Sequence, residues 1–289
     1  MQPVNINGVI QLPITRVLDG NPETQNDWLA VEEPLEIRLE WTEEEKRRAM
    51  SVAVTMRTPG DDEELAAGFL LTEAIINDAH HISSIKACGP VQKAKGHQNI
   101  IRVTLSDGCA VDPKKLSRHV FTTSSCGICG KASIDAIRSS NPFSEALQQQ
   151  GGIPTFNLSA EQLCRLPQQL SDDQRLFQQT GGIHAAALVD ETGAFIYVRE
   201  DVGRHNAVDK LLGRCFLDHR LPLKDTTLML SGRASFELLQ KAAMAGISRV
   251  VAVGAPSSLA VELARECGIA LAGFLKQRRL NVYHGQLVR

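Results

Sequence analysis

Neither sign of charge dominates this chain. Lys and Arg number 31 against 33 Asp and Glu, a formal net charge of −2, so no overall field draws it onto nucleic acid or a membrane surface, and neither partner is expected. Any anionic ligand has to be held by local groups. Long apolar runs are missing, and Met1-Gln2-Pro3-Val4-Asn5-Ile6-Asn7 has neither the basic start nor the apolar core of a signal peptide, which makes a soluble, cytoplasmic protein the expectation. A paired cysteine framework is missing too. Seven cysteines, an odd number scattered over 289 residues, fit a reducing compartment better than a secreted disulfide scaffold. Cys88, Cys109, Cys164, Cys215 and Cys267 stand alone in the sequence; Cys126 and Cys129 have each other.

Missing motifs exclude whole reaction classes. Zinc-dependent deamination needs H-x-E and P-C-x-x-C, but none of the eight histidines has glutamate two positions on, and Ser125 stands where the proline would be. A zinc ribbon needs a second C-x-x-C or a His pair; here His119 or Cys109 offers only a loose third ligand, and no resident metal is expected. The flank is wrong for a thioredoxin-type pair. There is no G-x-G-x-x-G and no G-x-x-x-x-G-K-[ST], so no standard nucleotide fingerprint.

What is present is Thr122-Thr123-Ser124-Ser125-Cys126-Gly127-Ile128-Cys129-Gly130-Lys131, four hydroxyl residues leading into a C-x-x-C pair. Two cysteines at this spacing can share a metal, close a disulfide, or pass an oxidised or persulfidated sulfur between them. The following Lys131-Ala132-Ser133-Ile134-Asp135-Ala136-Ile137-Arg138 has helical composition. A helix N-terminus and Lys131 next to the pair favour thiolate. With no apolar strand run before it, the segment reads as a mobile loop.

Around this loop two different rhythms are legible. Residues 1–34 read as extended edge structure. Leu35, Ile37, Leu39 and Trp41 alternate with Glu36, Arg38 and Glu40, and Val52, Val54 and Met56 repeat the period of two, predicting an antiparallel sheet. After the turn Thr58-Pro59-Gly60-Asp61-Asp62, residues Leu65, Phe69, Thr72 and Ile76 recur at helical spacing and predict a helix packed on that sheet. Ile101, Val103 and Leu105 form another strand, and Pro113 opens a short helix. From Ser171, paired with Gln174 as a capping box, a helix runs to Thr180. A hairpin joins 185–189 to 195–198. Helices over 207–212, 236–245 and 259–266 then alternate with strands over 228–230, 250–253 and 269–274. That order implies parallel pairing and a three-layer α/β sandwich, with ligands beyond the carboxyl ends of the strands. The domain reading is an α+β unit over 1–121, the cysteine loop over 122–131 and the α/β unit over 132–289.

The carboxyl ends of these strands carry a recurring polar set, expected to line one pocket: His184; Arg204 and His205; Ser231 and Arg233; and a glycine loop at Gly254. Glycine loops that open helices can hold phosphate oxygens on bare N–H groups. The last strand leaves through Phe274-Leu275-Lys276-Gln277-Arg278-Arg279, with three cations in four positions able to grip a diphosphate.

Five motifs in order resemble the formate dehydrogenase accessory sulfurtransferase family, FdhD. They are Thr58-Pro59-Gly60-Asp61-Asp62-Glu63-Glu64-Leu65-Ala66-Ala67-Gly68-Phe69, Ser124 to Gly130, Thr180-Gly181-Gly182-Ile183-His184, Asp201 to Lys210, and Ser231 to Glu237. The resemblance implies a cytidine deaminase fold without the zinc. It also implies a persulfide on Cys126, received from a cysteine desulfurase, and sulfur delivery to the bis-guanine-dinucleotide molybdenum cofactor before that cofactor enters formate dehydrogenase. Cys129 would release the sulfur, and Phe274 to Arg279 would be the cofactor-binding segment. Lys276-Gln277-Arg278-Arg279 departs from the family's Arg-Gly-Gly-Arg. A homodimer is the expected assembly. The rival reading is a cofactor chaperone whose cysteines only dock the desulfurase.

Overall fold

The structure, a computed structural model, describes residues 5–6, 8–91, 98–109, 111, 141–144 and 152–288. Its N-terminal strands are β1 (Asn5–Ile6), β2 (Val9–Leu18) and β3 (Asn21–Ala30), paired antiparallel in that order. Where the sequence suggests only extended edge structure, β2 and β3 form a full hairpin. Asp19 and Gly20 both take positive φ, 50° and 84°, the two-residue turn whose twist matches its strands and which Asp-Gly favours.

A second sheet contains β4 (Glu33–Glu43), β5 (Lys46–Arg57), β6 (Ile82–Cys88) and β7 (Ile100–Leu105) in the order β5-β4-β7-β6. Leu35, Ile37 and Leu39 of β4 turn inward, as their alternation predicts, onto Leu65, Leu70 and Leu71 of α1 (Asp62–Thr72). α1 is apolar on nearly every side because it is covered twice: the sheet takes one face and helix α4 (Arg204–Leu217) the other. The two helices cross backbone to backbone. A Cβ on Gly68 would lie 1.8 Å from Asp209 O, and one on Gly213 would lie 1.8 Å from Glu64 O, so only glycine permits this approach.

The C-terminal half is built on a six-stranded sheet, β13-β12-β11-β10-β8-β9, from β8 (His184–Val189), β9 (Phe195–Asp201), β10 (Thr227–Leu230), β11 (Arg249–Ala252), β12 (Ala270–Lys276) and β13 (Arg279–His284). β10, β11 and β12 are parallel, as expected from the alternation of strand and helix; β8 and β13 run antiparallel to their neighbours. Both faces are buried. Ala186, Leu188, Leu230 and Val250 face α4, α5 (Phe236–Met244) and α6 (Ser258–Glu266). Ala185, Ala187, Met229 and Val251 face α2 (Ala160–Asp173) on the other side. The strands therefore read as continuous apolar runs, and the layering is helix, sheet, helix.

Three local expectations are corrected. The capping box is Ser159 with Gln162, which exchange both hydrogen bonds, 3.2 and 2.9 Å, and it opens α2. Ser171 lies inside that helix, and α3 (Arg175–Thr180) starts separately after Gln174. Pro167 inside α2 obscures the helix in the sequence, since it removes a helical donor. Finally, the basic run does not leave the sheet. β12 extends to Lys276, Gln277 and Arg278 make a two-residue turn, and β13 returns beside it.

Candidate functional site at the sheet edge

Because β10, β11 and β12 are parallel and β8 is antiparallel to β10, one edge of the sheet collects the carboxyl ends of β9 to β12 and the start of β8. His184, Arg204, Ser231 to Ser235, Gly254 and the β12–β13 hairpin thus lie along a single line. From β9 to β12 there are four inter-strand steps, about 19 Å at the usual spacing. The line is an open shelf: Arg233, Lys276, Gln277, Arg278 and Arg279 are all exposed.

Backbone N–H groups along this edge link the strand exits to one another. Gly254 N–H donates to Gly232 O (2.9 Å), Phe274 N–H to Gly254 O (3.0 Å) and Ser257 N–H to Ala234 O (3.0 Å). These donors tie one strand exit to the next and are not bare. Tight packing requires the glycines, since a Cβ on Gly254 would lie 2.9 Å from Gly232 O and one on Gly273 would lie 2.9 Å from Pro256 Cδ. Ser231 belongs to the same stitching. Its Oγ accepts from Ala185 N–H at 2.8 Å, while its own N–H donates to Ala185 O.

At one end of the shelf, Gly232 leaves room for the His184 ring, whose Nδ1 would be 3.4 Å from a Cβ there. Burial, and then the nearby Arg204 cation, hold His184 below its ordinary pKa, with Asp201 opposing. His205 is pushed down to about 4, first by burial and then by Lys241 and Arg204, against Glu237 and Glu73. It is a neutral imidazole at pH 7. Arg204 Nε and His205 Nε2 are both buried without a hydrogen-bond partner among the described residues, two polar atoms that a bound group would satisfy. At the other end, Phe274 holds a left-handed φ of 55°, and the Arg279 guanidinium lies over its ring, 5.2 Å from the centroid. Lys276 and Arg279 face each other across the hairpin. Leu275 is fully buried in the core on the α2 side, so only its backbone is available to a ligand. Cys126 and Cys129 lie outside the described residues.

The model of the FdhD/NarQ family matches residues 30–287. The chain belongs to the FdhD/NarQ family. Proteins named "Sulfur carrier protein FdhD" are similar to it along nearly their whole length. The one from Streptomyces avermitilis is 48% identical over 274 residues, covering 94% of this chain and 93% of its own. The one from Mycobacterium tuberculosis is 46% identical over 266 residues, covering 90% and 91%, and the one from Saccharolobus solfataricus 36% identical over 275, covering 95% and 96%. A crystal structure of a formate dehydrogenase accessory protein from Desulfotalea psychrophila has the same fold, with a TM-score of 0.69 at 23% identity over 96% of this chain and 97% of that one.

The family motifs at Thr58 and at Asp201 to Lys210 meet in a buried polar joint between the two halves. Asp201, completely buried, accepts from Lys210 Nζ (2.8 Å), Thr58 N–H (3.1 Å), Gly203 N–H (2.8 Å) and Asn206 Nδ2 (3.1 Å). Lys210 also donates to Thr58 O, and Asn206 to Met56 O. One turn further on, Lys241 bonds Asp209, Thr72 and Glu73. Here burial pushes the Asp209 carboxyl up, and the Lys241 charge opposes it. Sequence reasoning assigned roles to Arg204 and His205 and missed this joint. Its signal was available, because Asp209 and Lys210 interrupt the apolar Ala207, Val208, Leu211 and Leu212, and charges in such a position are buried only as partners.

Proposed function

We propose that the protein carries sulfur as a persulfide on Cys126, from a cysteine desulfurase to the bis-guanine-dinucleotide molybdenum cofactor, its substrate, for use in formate dehydrogenase. The names of its relatives and the C-x-x-C pair support the sulfur chemistry. The observation that carries the choice of substrate is the shelf, which ranges Arg204 and Arg233 at one end and Lys276, Arg278 and Arg279 at the other along one sheet edge.

In the uptake step the Cys126 thiolate attacks the outer sulfur of the donor persulfide. The donor S–S bond breaks, and the donor cysteine leaves as thiolate. For delivery, the Cys129 thiolate attacks Cys126 Sγ, a Cys126–Cys129 disulfide forms, and the outer sulfur leaves with the bonding electrons toward molybdenum. A thiol reductant then restores the pair. On the shelf the hairpin cations, with Gln277 between them, hold diphosphate; the Phe274 ring under Arg279 offers a flat stacking surface; and His184, Arg204, His205 and Ser231 hold the far end. The α/β unit reads as a cytidine deaminase fold used without zinc.

The test is intact-protein mass spectrometry after incubation with a cysteine desulfurase and cysteine. A reducible gain of one sulfur, lost in Cys126→Ala, is the expected result. No gain, together with tight binding of a guanine nucleotide, would replace this reading with the cofactor chaperone.

A further inference from the structure

A polar stripe runs inward from the shelf between α4 and α5. Residues four apart share a helix face, which stacks His205 above Asp209 on α4 and Glu237 above Lys241 on α5. The outer pair belongs to the shelf, where Glu237 lies within electrostatic reach of both Arg204 and His205. The inner pair is sealed from water, with Asp209 3% and Lys241 5% exposed. An ammonium has three donors, and those of Lys241 go to Asp209 Oδ1 (3.0 Å), Thr72 Oγ1 (2.9 Å) and Glu73 Oε1 (3.2 Å). Thr72 Oγ1 also donates to Asp209 Oδ1 at 2.8 Å, which closes a triangle. With its three donors taken, Lys241 has none left for a ligand. Its charge still reaches His205, together with those of Arg204, Glu237 and Glu73.

Thr72 ends α1 and Glu73 follows it, in a turn that is strained. Ala74 comes next in a left-handed conformation, φ 55°, with Ala74 N–H on Leu71 O and Ile75 N–H on Leu70 O. Glycine is the usual residue at that position of this helix-ending motif, and alanine there meets a Cβ penalty that glycine avoids. A strained helix end held by one buried ammonium is a segment that can let go. We propose that Lys241 is a positioning residue that couples the shelf to the N-terminal half of the protein. One ammonium is shared by α4, α5 and the end of α1, so a ligand that fixes α4 against α5 through Arg204 and His205 also fixes that end. The coupling rests on the reading of the shelf as the ligand site. It is reciprocal, so loosening the end of α1 weakens the ligand by the factor with which the ligand tightens that end.

Guanosine diphosphate is the probe, titrated into the full chain by calorimetry. Amide hydrogen exchange is followed with and without it at Glu73 to Ile76, whose N–H groups close the helix end. In the wild type the nucleotide should bind and slow that exchange. Lys241→Met should weaken binding about 10-fold and abolish the slowing. Thr72→Val, which keeps the shape and removes one link, should do both in part, and it decides the matter if circular dichroism shows Lys241→Met unfolded. Val52→Ala, in the core of the second sheet, lowers stability and should move neither readout, which separates positioning from a general loss of structure. Wild-type affinity in the folded variants, or nucleotide bound to the wild type without slower exchange at Glu73 to Ile76, overturns the coupling and leaves the shelf reading intact. A wild type that binds no nucleotide overturns the shelf reading and the coupling with it.

Discussion

Replacing Asp201 with asparagine should be among the most damaging isosteric changes available to this chain. The carboxylate is completely buried and takes four donors on two oxygens: Gly203 N–H and Asn206 Nδ2 on Oδ1, Thr58 N–H and Lys210 Nζ on Oδ2. Asparagine keeps the shape but turns one oxygen into a donor, so one of these pairs then faces an N–H₂. It also leaves the Lys210 ammonium, whose side chain is 2% exposed, with Thr58 O (2.8 Å) as its remaining partner among the described residues. Breaking one partner of a buried ion pair costs about 3–5 kcal/mol, a large fraction of the roughly 5–15 kcal/mol that a native protein has in total. Urea unfolding followed by circular dichroism, with linear extrapolation, measures the loss. Asp201→Asn/Lys210→Met should recover part of it, because the uncompensated charge is then gone as well. A single variant within about 1 kcal/mol of wild type, below the usual cost of an unmade buried bond, would refute the view that this joint ties the halves together.

Two further outcomes follow from the same joint and from the site beside it. Gly68→Ala puts a methyl 1.8 Å from Asp209 O, so α1 and α4 must part; a loss of about 3 kcal/mol and a fall in Tm of about 10 °C should appear in thermal scans, with a similar effect from Gly213→Ala. His205, at about 4 in the folded protein, has an ordinary value near 6.5 when unfolded. Above pH 6.5 it contributes nothing. As pH falls from 6.5 to 4 the unfolded chain takes up a proton that the folded chain refuses, so stability drops by roughly 2–3 kcal/mol. Urea midpoints measured at pH 7, 5.5 and 4 should show a shallower decline in His205→Gln, and identical slopes would contradict the assignment.

Legibility in the sequence followed burial. β4 and β7 carry strict apolar periods because one face of each is covered, and these were read with nearly correct limits; α1 is covered on two sides, and the helical spacing read through Ile76 overshoots its end at Thr72. β3 was not, since Asn21 to Asp27 contains no apolar residue and its alternation records no core. The Asp19-Gly20 turn was the available sign of that hairpin. β13 was hidden by the same logic, because the two-residue turn at Gln277 and Arg278 sits in a basic run that reads as a strand exit. At the shelf, residues picked by type from separate strand exits do come together on one sheet edge. Of the glycines there, Gly254 spends its N–H on Gly232 O and Gly203 on Asp201 Oδ1, pairings that no local pattern shows.

By itself the sequence determined the alternating order of strands and helices, the C-x-x-C pair and the family motifs, because periodicity, spacing and residue chemistry are local properties. Only tertiary structure decided that Thr58, Asp201, Asn206 and Lys210 form one joint. Those groups come from segments about 150 residues apart, and the joint depends on two helices meeting at Gly68 and Gly213. No local pattern encodes that contact, since it exists only when both halves bury their charges against each other.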